Sequence, residues 1–395
     1  MVGPSLSAHA SGVRARTPLL SPIRSAVCAA VLLLAACSTS PQTSRVVLTP
    51  VDFGHLPGWR DDAMAQVLPA FARSCDKLAD LPPGRPIGRD GQGGVAGDWL
   101  APCGALRDVA TGDDRAARAY FEAWFRPYLV AAGSNSEGLF TGYFEPQLNG
   151  SRRVGGRYRV PLYGRPADLQ ADPGRADHPY YSRAEIEAGA LVGKAAVLFW
   201  VDDPVDAYIL QVQGSGRILL DDGTRVQVGY DGSNGQRYVS LARILLNHGW
   251  LTPDDTTMQT VRAVLKAHPV EAPGLMRENP RYVFFRLVSG EGPVGTAGVA
   301  LTAGRSLAVD PEFVPLGVPL WLDTSEPDGT PLRRLMVAQD SGAAIKGAVR
   351  GDVFWGAGEA AFDKAGRMNR RGSYYLLLPR QKSGMIALAA AGFQQ

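Results

Sequence analysis

The spacing of apolar positions changes along this chain, and with it the elements they predict. Two early segments carry apolar residues at helical spacing. In "GWRDDAMAQVLPAFARSCDKLAD" these are Met64, Val67, Leu68, Phe71 and Leu78, with Pro69 placed to kink the helix. In "DDRAARAYFEAWFRPYLV" an acidic pair opens a helix, and one face gathers Ala117, Tyr120, Phe121, Trp124 and Phe125. From about residue 138 the texture shifts to short β-branched and aromatic runs between glycine-containing turns: "LFTGYFEP", "AAVLFWVDD", "AYILQVQGSGRILLDDG", "TRVQVGYDG". The stretch "ILQVQGSGRILLDDGTRVQVGY" predicts an antiparallel meander with turns at Gly214–Gly216 and Asp221–Gly223. Helices follow over Val239–Asn247 and Asp254–Ala267, and after Asn279-Pro280 strands return as "YVFFRLV", "SLAVD", "VPLWLDT", "RLMVAQD" and "SYYLLLP". Regular short strands at this spacing predict a mainly β fold with accessory helices, closed into a barrel.

The N-terminus follows a different pattern. Arg14, Arg16 and Arg24 precede "AVCAAVLLLAAC", an apolar run shorter than the ~20 residues a bilayer-spanning helix requires. Such a run fits the apolar core of a secretory signal over residues 1–36. Its end, Leu34-Ala35-Ala36-Cys37, resembles a bacterial lipobox, in which Cys37 becomes the lipidated first residue of the mature chain. Ser38 after the cysteine implies, by the same resemblance, the periplasmic face of the outer membrane. A polar tether over residues 37–52 then links the anchor to the folded part.

Composition narrows the chemistry. At 45% hydrophobic and 20% charged residues the chain can bury a sizeable core, and 395 residues suit two domains. Gly 46 and Pro 29 favour many turns over a helical bundle. Cleavage would remove three Arg and no acid, taking the formal charge from +3 to about zero. That argues against a nucleic-acid partner, which would need a basic face. Cys75 and Cys103 are left after Cys28 and Cys37; an oxidising periplasm permits a bridge, but two cysteines do not make a disulfide scaffold. The five His are scattered without ligand spacing, so neither a metal nor another cofactor is expected.

Several familiar signals lack their context. "GEGPVG" (290–295) matches a dinucleotide fingerprint but has no strand–turn–helix setting, and "GALVGK" is too short for a phosphate loop. "QDSGA" (339–343) contains the tripeptide of aspartic peptidases, yet that chemistry needs two aspartates sharing a proton and the chain has one copy. Three carboxylates remain: Asp310 in "SLAVDPEFVPLG", and Asp340 and Asp352 in "VAQDSGAAIKGAVRGDVFWGAG". Each could be a turn or strand-end carboxylate accepting backbone N–H bonds.

In combination, "AVDP", "PLG" and "AQDSGAAIKG…GDVFWG" resemble the three-aspartate signature of the MltA family, the membrane-bound lytic murein transglycosylases. "FTGYFEP" (140–146), "LQVQGSG" (210–216), "VGYDGSNGQRY" (228–238) and "NPRYVFFR" (279–286) resemble further segments of that family in the same order. The likeness spans roughly residues 50–385; the family's "GGAIKG" reads "GAAIKG" here. It implies a double-psi β-barrel catalytic domain assembled from residues 53–145 and 279–385, a second β domain inserted over 146–278, and a substrate groove between them. It also implies peptidoglycan glycan strands as substrate, a cell-wall synthesis or division complex as a candidate partner, and no cofactor.

A lytic transglycosylase uses no water: the C6 hydroxyl of N-acetylmuramic acid (MurNAc) closes onto its own C1, leaving a 1,6-anhydro ring. One carboxyl group can then act first as acid and afterwards as base, a role the resemblance gives to Asp352. Asp340 is expected to orient or to stabilise charge, and Asp310 to be mainly structural. For Asp352 to hold a proton near neutrality it must sit in an apolar pocket or beside a second carboxylate. Lys346 and Arg350 are therefore expected to point toward substrate or toward Asp340. Sugar rings need aromatic faces and polar edges, so Tyr143 and Trp355 are candidate stacking platforms. Thr141, Glu145, Gln213, Ser215 and Lys346 are candidate polar contacts. A non-catalytic glycan-binding lipoprotein would not need a carboxyl at Asp352, and a glycosidase that admits water would leave a reducing end; product chemistry separates the three.

Overall fold

The computed structural model describes residues 46–169, 180–289 and 292–380; the signal segment, Cys37 and most of the tether lie outside them. Strand β1 (Val46–Pro50) pairs antiparallel with β2 (Phe125–Ala132), and Val46 and Leu48 pack onto the core. The tether expected to reach residue 52 therefore gives way to a strand at Val46.

Helix α1 (Leu68–Ala79) follows a 3-10 turn at Met64–Val67 and takes Pro69 in its first turn. Proline is tolerated there because the amide it lacks would have no helical partner, so it opens the helix and does not kink it. Helix α2 (Ala96–Ala105) was hidden by Pro102 and two glycines; it is held by Trp99, fully buried and donating to Gly93 O at 2.9 Å. A disulfide between Cys75 and Cys103 ties α1 to α2 across a separation of 28 residues. Closing such a loop is worth about 3–4 kcal/mol against the unfolded chain. In α3 (Asp114–Trp124) the Asp113 carboxylate caps the helix by accepting from Ala116 N–H, and at Phe125 the chain becomes strand.

The remaining elements are β3 (Gly138–Glu145), β4 (Gln147–Ser151), β5 (Val160–Tyr163), a short α4 (Arg183–Glu185), β6 (Val197–Val201) and α5 (Pro204–Gln213). Then come β7 (Ser215–Leu220), β8 (Arg225–Ser233), α6 (Leu241–Asn247), α7 (Met258–Ala267), α8 (Ala272–Arg277) and β9 (Val283–Val288). The chain closes with β10 (Ser306–Val309), β11 (Pro319–Ser325), β12 (Pro331–Ser341), β13 (Arg350–Ala357), α9 (Glu359–Arg367) and β14 (Asn369–Pro379). Helix α5 corrects the predicted meander: "AYILQVQ" is helical, capped by Asp203 and ended by Gly214 at φ +81°. Ala207 through Gln211 are buried on every side, and a run without a solvent face shows no periodicity to separate helix from strand. Only β7 and β8 form the hairpin.

Six strands close a barrel in the order β14-β11-β12-β10-β13-β3, with β3 pairing back onto β14. Two of its pairings, β10 with β12 and β13 with β3, are parallel. The second sheet has the order β5-β6-β4-β7-β8-β9. The mainly β class, barrel and second β domain are thus those expected, with one difference: β9 pairs with β8, beyond the boundary at 278. Val283 and Phe285 are buried in the second sheet's own cluster, and that burial decides the strand's allegiance. The barrel interior is filled by Leu307, Val309, Leu320, Leu322, Met336, Val353, Tyr374 and Leu376, all without solvent exposure.

Candidate active site

Side chains alternate across the barrel wall, and this parity decides which residues can meet. On β13, Val353 points into the core while Asp352 and Phe354 share the opposite, outer face. Ala308 on β10 is the register partner of Asp352 on one side and of Asp340 on the other. The two aspartates therefore flank one small residue, their backbones roughly 10 Å apart, or two strand spacings. Beneath them Tyr143, Leu301, Ala308, Ile345 and Phe354 form an apolar patch.

Asp352 is half-buried, and Thr141 on the adjacent strand donates its hydroxyl to Oδ1 at 2.7 Å. Burial pushes the carboxyl up to about 6; the Arg350 charge and the Thr141 hydrogen bond act against this, and the Asp340 charge adds to it. An apolar setting thus outweighs a nearby cation, and the acid lands close to neutrality. Arg350 itself does not turn to substrate or to Asp340 as expected. Its Nη2 donates to Thr141 Oγ1 at 2.8 Å, and its Nη1 donates to Leu139 O at 3.2 Å and to Gly351 O.

Asp340 is more heavily bonded. Its Oδ1 accepts from Thr296 N–H, the Thr296 hydroxyl and Ser341 N–H, each at 2.9 Å, and its Oδ2 accepts from Tyr143 OH at 2.9 Å. Burial raises its pKa, against which all four bonds act. Thr296 carried no sequence signal. It is brought in by a tight hairpin in which Gly295 lies so close to Gln339 O that a Cβ would sit 2.4 Å away.

Asp310 is buried, accepts from Gly347 N–H at 2.9 Å and Glu312 N–H at 3.3 Å, and has Lys346 Nζ at 3.5 Å. Lys346 thus pairs with Asp310, not Asp340, and the triad of aspartates divides into two on the wall and one in a turn.

The expected sugar contacts fare unevenly. Tyr143 is buried, its ring 5.2 Å from Phe354 and its hydroxyl committed to Asp340, so it braces the wall and offers no free face. Trp355 lies on the other face of β13, where a Cβ on Gly142 would meet its Nε1 at 2.6 Å. Lys364 Nζ and Arg334 Cζ cover its ring at 4.8 and 5.9 Å. Glu145 is fully buried, 2.8 Å from Arg217 Nε and accepting from Gln227 Nε2 at 2.6 Å, so it cannot bond a sugar. Gln213 Oε1 accepts from Phe144 N–H at 3.1 Å and helps line a cavity of about 210 Å³ between β3, α5 and α9. Ser215 is half-buried at the start of β7. Thr141 is spoken for by Asp352 and Arg350. Among the described residues no group of His, Cys, Asp and Glu could hold a metal ion.

Comparison with known proteins matches this layout. The MltA specific insert domain matches residues 139–286 and the 3D domain residues 305–378. Membrane-bound lytic murein transglycosylase A of Escherichia coli K12 is 33% identical over 286 residues, 70% of this chain and 75% of that protein. A solved lytic transglycosylase of Burkholderia pseudomallei is 43% identical, with a TM-score of 0.59 over 85% of this chain and 96% of its own. E. coli MltA crystallised with bound chitohexaose is 27% identical, with a TM-score of 0.63 over 86% of this chain and 93% of its own. With the insert and 3D domains in order and a curated relative this similar over most of both lengths, the chain belongs to the MltA family of membrane-bound lytic murein transglycosylases.

Proposed function

We propose that the protein is a peptidoglycan lytic transglycosylase in which Asp352 serves as acid and then as base. Family membership supports the reaction class. The role of Asp352 is supported by one observation above all: a half-buried carboxyl on the outer barrel wall, held by a single hydroxyl donor, with an acidity near neutral pH. The Asp352 proton passes to the β-1,4 glycosidic oxygen between MurNAc and N-acetylglucosamine (GlcNAc). The C1–O bond breaks with its electron pair on that oxygen, and GlcNAc leaves with a new 4-hydroxyl. The C6 hydroxyl of the same MurNAc then attacks C1, and its proton goes to the Asp352 carboxylate.

Atoms balance without water, and the acid is regenerated. Hydrolysing glycosidases generally need two carboxyl groups. Here the attacking hydroxyl is tethered, and well-oriented intramolecular attack can supply on the order of 7–11 kcal/mol at best. Asp340, fixed by four donors, holds negative charge on the same face as the developing positive charge at C1. The glycan lies along that face, in the groove between barrel and second sheet, with Gln213 and Ser215 on the far wall. A lipid anchor on Cys37 holds the enzyme to the outer membrane; among the described residues no helix is long and apolar enough to cross one. Labelled fatty acid incorporated by the wild type and absent from Cys37→Ala checks the anchor.

Mass spectrometry of digested peptidoglycan tests the reaction. Muropeptides one water lighter than hydrolytic products are expected; reducing-end MurNAc would make water the acceptor and overturn the reading.

A further inference from the structure

Arg350 and Asp352 are two apart on β13, so both side chains project to the same face. In the parallel register β3 sets Leu139 opposite Arg350 and Thr141 opposite Asp352. This brings the Thr141 hydroxyl between guanidinium and carboxylate. The hydroxyl has one proton to give. Arg350 Nη2 donates to its oxygen at 2.8 Å, so that proton is free to be aimed at Asp352 Oδ1, 2.7 Å away. Arg350 is also planted on two carbonyls, Leu139 O and Gly351 O, which fixes the fork and keeps it from closing onto the carboxylate.

We propose that Arg350, acting through Thr141, is a positioning residue for the transfer: it locks a hydroxyl donor onto Oδ1 so that Oδ2 is the oxygen that carries the proton toward the glycan. This inference rests on Asp352 being the acid and base. A direct Arg–Asp pair would hold the carboxyl ionised, since an adjacent cation lowers a carboxyl by ~1–3 pH units. Set one hydroxyl away, the same cation orients the acid while leaving it able to hold its proton. Four polar groups face or act on Asp352: Arg350 from its own strand, Thr141 and Tyr143 from β3, and Asp340 from β12; β10 contributes the uncharged Ala308. Of these, Arg350 is the largest influence opposing the upward push of burial, and Thr141 the next.

The test is the pH dependence of kcat/KM for release of anhydro-muropeptides from soluble glycan strands by purified wild type, Arg350→Met, Thr141→Val and Thr141→Ser. Loss of activity on the alkaline side reports deprotonation of the acid in the free enzyme. Removing the Arg350 charge raises the carboxyl, so in Arg350→Met that limb should move up by about one pH unit. Thr141→Val should move it in the same direction by less, and Thr141→Ser, which keeps the hydroxyl, should return it to the wild-type position. KM should change little beside kcat. A role in folding alone would lower activity at every pH and leave the limb in place; unchanged limbs in both Arg350→Met and Thr141→Val overturn the proposal. If circular dichroism shows Arg350→Met unfolded, Thr141→Val, nearly isosteric and β-branched on a strand, decides. Asp352→Asn in the same assay separates the two layers: ordinary turnover there sinks the acid–base role itself, whereas an inactive Asp352→Asn with unmoved limbs sinks only the part given to Arg350.

Discussion

Asp352 and Glu145 lie on two paired strands of one barrel, and burial raises the pKa of both, yet they are held in opposite ways. Glu145, where β3 crosses into the second sheet, is fully enclosed and gripped from β7 and β8 by Arg217 at 2.8 Å and Gln227 at 2.6 Å. Asp352, partway along the outer wall, keeps some access to solvent and touches one neutral hydroxyl, with its cation at one remove. A carboxylate committed to a direct cation and an amide belongs to the scaffold. One whose donor is a hydroxyl can give up a proton and take it back. The difference lies in how directly the countercharge is attached, not in the carboxyl group.

Substitutions in the scaffold and at the carboxylates test this difference. The largest stability change should come from the scaffold. Replacing Cys75 and Cys103 by Ser should cost about 3–4 kcal/mol in denaturant titration while leaving the pH limb of activity where it was. A moved limb would mean that α1 and α2 feel the site.

Next is Asp352→Asn, which should stabilise the fold. The folded carboxyl titrates at about 6, above the ~3.9 of an unfolded Asp, so the native state holds the extra proton between those values. Native stability therefore falls as pH rises through that window and stays lower above it. The variant should gain about 2–3 kcal/mol at neutral pH and nothing below about pH 4. Equal stability of wild type and variant at neutral pH would show that Asp352 is not strained by burial.

Asp340→Asn comes third. An amide replaces one acceptor oxygen in a set of four bonds, and turnover should drop about tenfold or more, with less loss than at Asp352. Smallest should be Glu145→Gln, which keeps the shape and removes the charge. Arg217 is exposed enough to keep water as a partner once the charge is gone, so stability should fall by only about 1 kcal/mol, with no shift in the pH profile. A shifted profile would place Glu145 in electrostatic contact with the acid and blur the comparison.

Much of this was readable along the chain, and what was not has physical causes. Strands β10 and β12 could be placed because "SLAVD", which leads into Asp310, and "RLMVAQD", which carries Asp340, are short apolar runs ended by a turn. Strand β13, which carries Asp352, was not among the predicted strands, its apolar run Val353–Trp355 being only three residues between glycines. Parity within "GDVFWG" already puts Trp355 on the face opposite Asp352. Helix α2 was hidden because Pro102 and its glycines argue against a helix that tertiary packing of Trp99 nonetheless holds. The side of β9 could not be read, since Val283 and Phe285 would suit either sheet. Thr296 reaches Asp340 from a turn 44 residues away, and Arg350 meets Thr141 through strand register across 209 residues. Local sequence does not encode such register.

Turnover of peptidoglycan by Asp352→Asn, assayed beside a glycan-binding measurement on the same preparation, tests the acid–base role of Asp352. A single general acid–base group is worth typically 10²–10⁴-fold, and more when it serves both steps. Anhydro-muropeptide release should therefore become almost undetectable while glycan binding persists and the protein remains folded. Release at the wild-type rate by folded Asp352→Asn would show that Asp352 is not the acid and base.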